Sequence, residues 1–194
     1  MNRFIPGILA VVLGGSALAG TAAGSTTNVS PAVAAAAAAV PDAAVTTADA
    51  ATRRQHERLT LDWVRLWNGD YRHVDRFIAP DFGMHAALLD GGDGSAVTGP
   101  SGLVGLIRQI RGPLPDLHFR VQVGPIIDGD RIVVRWIATG TYAGGFPGAT
   151  AAVGTDISFE GTDIVRVDHA GRIVEYWLNA DTLGLVTQLG VTGG

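Results

Sequence analysis

From Thr52 onward the apolar positions follow first one rhythm and then another. Leu59, Trp63, Leu66 and Trp67 recur at three- and four-residue spacings, the stripe of an amphipathic helix. Asn68-Gly69-Asp70 is a stop signal, and Tyr71, Val74, Phe77 and Ile78 predict a second, short helix ending before Pro80. Leu103, Leu106, Ile107 and Ile110 predict a third from Gly99 to Arg111, closed by Gly112-Pro113. The period then drops to two. Phe119, Val121 and Val123 alternate with polar residues, and Asp128-Gly129-Asp130 turns the chain into a strand from Arg131 to Tyr142. Ile157 to Asp168 and Arg172 to Asn179 form another strand pair, and Thr182 to Leu189 a closing helix. Helices first and long antiparallel strands afterwards make an α+β domain. Glycine-punctuated hairpins suit a strongly curved sheet wrapped around the helices, with a hollow at one end.

Residues 1–51 follow neither rhythm. Asn2-Arg3 precedes an apolar run from Phe4 to Leu18, and Ala17-Leu18-Ala19 has the small-x-small form of a cleavage site, so residues 1–19 read as a signal peptide. The run is shorter than the roughly 20 residues of a comfortable bilayer span. The expected location is therefore secreted, or membrane-tethered if the signal stays uncleaved, with no stable membrane span after processing. Residues 20–51, rich in Ala and Thr with Pro31 and Pro41 around an alanine run, read as a flexible tether. The domain is then 52–191, long enough for one core.

Composition narrows the chemistry. The 194 residues include no Cys, which excludes disulfides, thiolate metal sites and a Cys nucleophile. Every one of the 14 basic residues is Arg, and 18 acids leave a net charge of −4. Without a basic run, nucleic acid is not an expected partner. No pair of histidines has ligand spacing with a third acid nearby, so no metal is expected. Pro100-Ser101-Gly102 lacks the glycine spacing of a nucleophile elbow.

Several residues are candidates for acid–base work. Ile173, Glu175, Trp177, Asn179 and Asp181 share one pleat face of the last strand, which puts Asp181 beside Trp177 where the final helix begins. Asp181 is then either a carboxylate facing the hollow or the N-cap of that helix. Asp163 follows Ile157, Phe159 and Gly161 on an apolar face, where an acid must be paired or protonated. It is either a neutral hydrogen-bond donor in a pocket or a buried acid satisfied by Arg or backbone. His85 can polarise a carbonyl or be a loop residue without a role. His118 sits at a strand start, and His56, His73 and His169 read as solvated. Trp63, Trp67, Trp136, Tyr142, Phe146 and Trp177 supply aromatic surface, most of it core. Tyr142 and Phe146 are the best placed to stack on a flat ligand at the hollow's mouth. Arg135, Arg166, Glu160 and Glu175 read as cross-strand pairs.

A string of local motifs then carries a resemblance. Trp67-Asn68-Gly69-Asp70, Ile78-Ala79-Pro80-Asp81-Phe82 with His85, and Pro115-Asp116-Leu117 come first. Gly129-Asp130-Arg131, Arg135-Trp136 and Gly140-Thr141 follow. Gly161-Thr162-Asp163-Ile164-Val165-Arg166 and Gly171-Arg172-Ile173-Val174-Glu175-Tyr176-Trp177 come next, then Asp181, Leu183-Gly184-Leu185 and Gln188-Leu189-Gly190. In this order the chain resembles the SnoaL-like polyketide cyclase (ester cyclase) branch of the NTF2-like superfamily. The resemblance implies a cone-shaped domain with an internal pocket and a cofactor-independent enzyme. It implies Asp181 as general base, from its late W-x-x-x-D context, and a cavity-facing His85. Asp163, Trp177, Asn179, Tyr142, Phe146 and Trp63 complete the expected site. The implied reaction is an intramolecular aldol-type closure of a hydrophobic, carbonyl-rich, polyketide-like substrate. A small hydrophobic molecule is thus the expected partner, with a homodimer through the convex sheet face. The same cone also serves binding proteins without catalysis, epoxide hydrolases and isomerases, and all three stay open as alternatives.

Overall fold

The computed structural model describes residues 47–88 and 91–191. The signal peptide and most of the tether read from the sequence lie outside the described residues. The first helix, α1 (Thr47–Trp67), begins inside the stretch read as tether. Then come α2 (Val74–Phe77), β1 (Ile78–Ala86), α3 (Gly99–Arg111), β2 (His118–Asp128), β3 (Arg131–Thr141), β4 (Asp156–Val167), β5 (Ile173–Ala180) and α4 (Thr182–Gln188). The five strands form one curved, unclosed sheet in the order β1-β5-β4-β3-β2, antiparallel except for the parallel pair β1–β5. This is the α+β architecture expected from the change of period, in the curved form that the family resemblance implies.

The helical stripe behaves as its spacing predicts. Leu59, Trp63, Leu66 and Trp67 are all buried and face the concave side of the sheet. The end of α1 is fastened by Asn68, whose amide donates to the Phe119 carbonyl at 3.0 Å while its oxygen accepts from the Phe119 N–H at 2.7 Å. One side chain thus takes the place of a neighbouring strand along β2. Gly69 follows with φ +93°, a conformation favouring glycine.

The region around Pro80 differs from the sequence reading. The second helix is a single turn, and Ile78, read as its last apolar position, instead opens β1. Pro80 is tolerated in β1 because β1 is the sheet edge, where a missing N–H costs no ladder bond. Its pairing with β5 jumps register between Ile78 and Gly83.

Register decides which side chains meet on each face. Ile132, Val134, Trp136 and Ala138 of β3 lie opposite Val165, Asp163, Gly161 and Phe159 of β4. Val165, Asp163 and Gly161 in turn lie opposite Tyr176, Leu178 and Ala180 of β5. These positions form the inner face against α1. Val133, Arg135 and Ile137 of β3, Glu160, Thr162, Ile164 and Arg166 of β4, and Glu175, Trp177 and Asn179 of β5 form the outer face. A register shift between Arg166 and Val167 breaks the alternation at the start of β5, where Ile173 and Val174 are both buried. Ile173 therefore does not share the face of Trp177, as a regular strand would require.

Candidate active site

Among the described residues Asp163 is the only buried acid, 3% exposed in the middle of the inner face. Three donors close on it. Trp63 Nε1–H of α1 donates to Oδ2 at 2.8 Å, and Trp136 Nε1–H of β3 and the Tyr176 hydroxyl of β5 each donate to Oδ1 at 2.8 Å. The cage thus draws one residue from each element that packs around β4 here. Gly161 makes it possible: a Cβ at that position would stand 2.2 Å from the Trp136 ring, so only glycine lets the indole lie across β4.

Electrostatics in the cage oppose one another. Desolvation disfavours the carboxylate and its three hydrogen bonds favour it; desolvation wins and pushes Asp163 up to about 6. Burial, and then the Asp163 charge beside it, push the Tyr176 phenol well above its ordinary value. Tyr176 therefore stays a hydroxyl donor at any physiological pH. Trp63 packs edge-on against Tyr176 (4.8 Å between ring centres), and Phe119 against Trp136 (5.0 Å). These rings fill the hollow expected from the sequence. What remains beside Asp163 is a cavity of about 10 Å³ among Leu59, Thr60, Trp63, Ile132, Val134, Val165 and Ile173.

Asp181 is placed elsewhere. It is exposed, and its Oδ1 accepts from the Gly184 N–H at 2.8 Å, the N-cap of α4. Of the two readings open to it, the cap is the contact present, and the inward-facing one is absent. Trp177 and Asn179 do accompany Asp181, but on the outer face. There they line an open groove of about 980 Å³ with Arg135, Glu160, Thr162 and Ile164. His85 is also outside. Its ring stacks on Trp177 at 4.9 Å and 13°, with Nε2 3.4 Å from Glu175 Oε1. Glu175 accepts from Arg166 Nε, which holds its carboxyl below the usual range, with His85 adding to the effect. Arg135 pairs with Glu160 across β3 and β4.

Tyr142 is buried rather than at a mouth, and the Phe146 N–H reaches its hydroxyl oxygen at 3.3 Å. Both rings pack on the core beneath the segment that joins β3 to β4. The predicted residues thus separate into an inner pair, Asp163 and Trp63, an outer group, Trp177, Asn179, Asp181 and His85, and two core rings. Trp136 was legible only as aromatic surface, and the role of Tyr176 was missed. The signal was available: an acid on an apolar face needs donors, and these two inner positions carry an N–H and an O–H. His56 is a correction: it is 4% exposed, not solvated, with Nδ1 unpartnered, and burial lowers its pKa. Trp67 Nε1 is likewise buried without a partner.

The family model of the SnoaL-like polyketide cyclases matches residues 57–189. The chain belongs to this family. Solved structures agree. TsrD from Streptomyces laurentii is 26% identical, with a TM-score of 0.61 over 72% of this chain and 98% of that one. IdmH from Streptomyces antibioticus, a proposed polyketide cyclase, is 27% identical, with a TM-score of 0.58 over 70% and 98%. AclR from Streptomyces galilaeus, a proposed hydroxylase, shares the fold at 23% identity and a TM-score of 0.59 over 73% and 87%. No curated protein sequence matches the chain. Family membership supports a cyclase-like enzyme that takes small hydrophobic substrates. No helix among the described residues is long and apolar enough to cross a membrane.

Proposed function

We propose that this chain is a cofactor-independent acid–base enzyme that closes a ring in a hydrophobic, carbonyl-rich substrate, with Asp163 as its proton-transfer group. The observation that carries this reading is the buried carboxyl in its cage of two indoles and a phenol, poised near neutrality. A base works best when its pKa lies near the working pH, and burial puts Asp163 there. As an anion it takes the proton from a C–H flanked by carbonyls. The resulting enolate attacks a second carbonyl of the same molecule, and the proton returns to the new alkoxide. Holding both ends of the substrate together supplies the larger share of the acceleration, up to ~7–11 kcal/mol. A cavity of about 10 Å³ admits no such substrate, so turnover in this reading requires the ring cage to open around Asp163.

Asp163→Asn tests this reading. The expected result is a loss of turnover of roughly 10²–10⁴-fold on a cyclisable poly-β-ketone, the usual size of a general-base contribution. Unchanged turnover in the folded variant refutes it.

A second reading is favoured by the groove. At about 980 Å³ it accepts a flat small molecule against Trp177 without any rearrangement. In that reading the chain binds and does not convert. A hydroxylated anthraquinone recovered unaltered after long incubation, with binding lost in Trp177→Ala, selects it. For export, the proposal is cleavage after Ala19, and the mass of the mature protein tests it.

A further inference from the structure

The hydrogen bonds on Asp163 are unevenly shared, and the small cavity lies beside this carboxylate. Oδ1 accepts two donors, from Trp136 and Tyr176, while Oδ2 accepts only one, from Trp63. A carboxylate oxygen has two lone pairs, so one acceptor position on Oδ2 is unused. The protonated form has the opposite need. Its O–H requires an acceptor, and an indole N–H cannot be one. Of the three partners only Tyr176 carries an oxygen, and accepting there would turn its hydroxyl away from Asp163. A caged acid that changes protonation state therefore needs a neighbour able both to donate and to accept.

The cavity supplies the room. Its volume of about 10 Å³ lies at the lower limit for one water, whose site also needs at least two polar partners. Asp163 lines it from the sheet, and Thr60 lines it from α1 among Leu59, Ile132 and Val165. The buried Thr60 hydroxyl donates to the His56 carbonyl at 2.9 Å and keeps its own lone pairs for a further donor. Every other wall is apolar apart from the Trp63 indole, whose N–H already points at Oδ2.

We propose that this cavity is a one-water site, in which the water bridges Asp163 Oδ2 and Thr60 Oγ1 and serves as the proton partner of the caged carboxyl. With the carboxylate, the water donates one hydrogen to Oδ2 and the other to Thr60. With the acid, it accepts the Oδ2 hydrogen while still donating to Thr60. No hydrogen bond of the cage has to break when the proton moves. The proposal deepens the catalytic reading of Asp163 and rests on it only for its purpose; the site itself requires no substrate.

The experiment uses the mature chain without substrate. A high-resolution crystal structure locates the water, and the carboxyl ¹³C signal of Asp163 reports its titration. The expected result is a density peak within hydrogen-bond reach of both oxygens. In Thr60→Val the peak is lost and the midpoint rises by roughly one pH unit, because the anion loses a donor worth more than the acid's acceptor. Thr60→Ser restores both. A dry cavity in the wild-type protein, or a midpoint unmoved in Thr60→Val, overturns the proposal. If Asp163→Asn keeps full turnover, the catalytic reading falls while these two results still decide the water site.

Discussion

Two aspartates on adjoining parts of one sheet illustrate how environment assigns chemistry. Asp163 lies within β4 and Asp181 directly after β5, and both accept hydrogen bonds at 2.8 Å. Asp163 faces α1, is sealed among rings and holds its proton up to about pH 6. Asp181 lies beyond the last strand, in water, and satisfies one backbone N–H of a helix start. Identical side chains thus become a buried acid with a raised pKa and a helix cap. Burial and the identity of the donors make the difference, and sequence position does not reveal it.

The largest expected effect that separates the two is on stability against pH. The folded pKa of Asp163, about 6, lies above its ordinary value of 3.8. Between these values the folded chain keeps a proton that the unfolded chain has released. Stability therefore falls as pH rises through about 4 to 6, and stays lower above it, by on the order of 3 kcal/mol. His56, kept neutral by burial, acts in the opposite sense as pH falls below about 6.5. Urea melts of the wild type against Asp163→Asn isolate the Asp163 contribution. A parallel profile for wild type and Asp163→Asn breaks the contrast.

Next in size is Gly161→Ala. Its methyl group would stand 2.2 Å from the Trp136 ring, so the indole must leave Asp163 or the strands must part. A loss of about 1–3 kcal/mol is expected, the usual range for overpacking. A downward shift in solvent protection of the Trp136 indole N–H, read by hydrogen exchange, identifies the cause. The smallest effect belongs to the outer residue. Asp181→Ala removes the cap and costs about 1 kcal/mol, whereas Asp181→Asn, itself a good cap, is nearly neutral. Thermal melts check both.

The sequence made much of this legible, and where it failed the reasons are physical. The helical stripe, the hairpin at Asp128-Gly129-Asp130 and the pleats of β3 and β4 follow local rules and lie where expected. β1 does not, because an edge strand containing Pro80 is stabilised by a parallel partner some 90 residues away. The shared face of Glu175, Trp177 and Asn179 was readable, but periodicity says only which residues lie together. Whether that face looks toward α1 or away from it depends on packing, and it looks away. Asp163 stood out for the right reason, an acid among apolar neighbours. Its donors come from three separate elements, and no spacing within the chain announces such a convergence. The filled hollow is likewise a matter of ring orientation, since the same rings turned outward would line a chamber.

The contrast between the two acids reduces to one measurement, the turnover of Asp163→Asn beside Asp181→Asn on the same cyclisable poly-β-ketone at pH 7. Asp163→Asn is expected to lose roughly 10²–10⁴-fold and Asp181→Asn less than about threefold. The reverse order, with Asp181→Asn inactive and Asp163→Asn intact, contradicts this expectation.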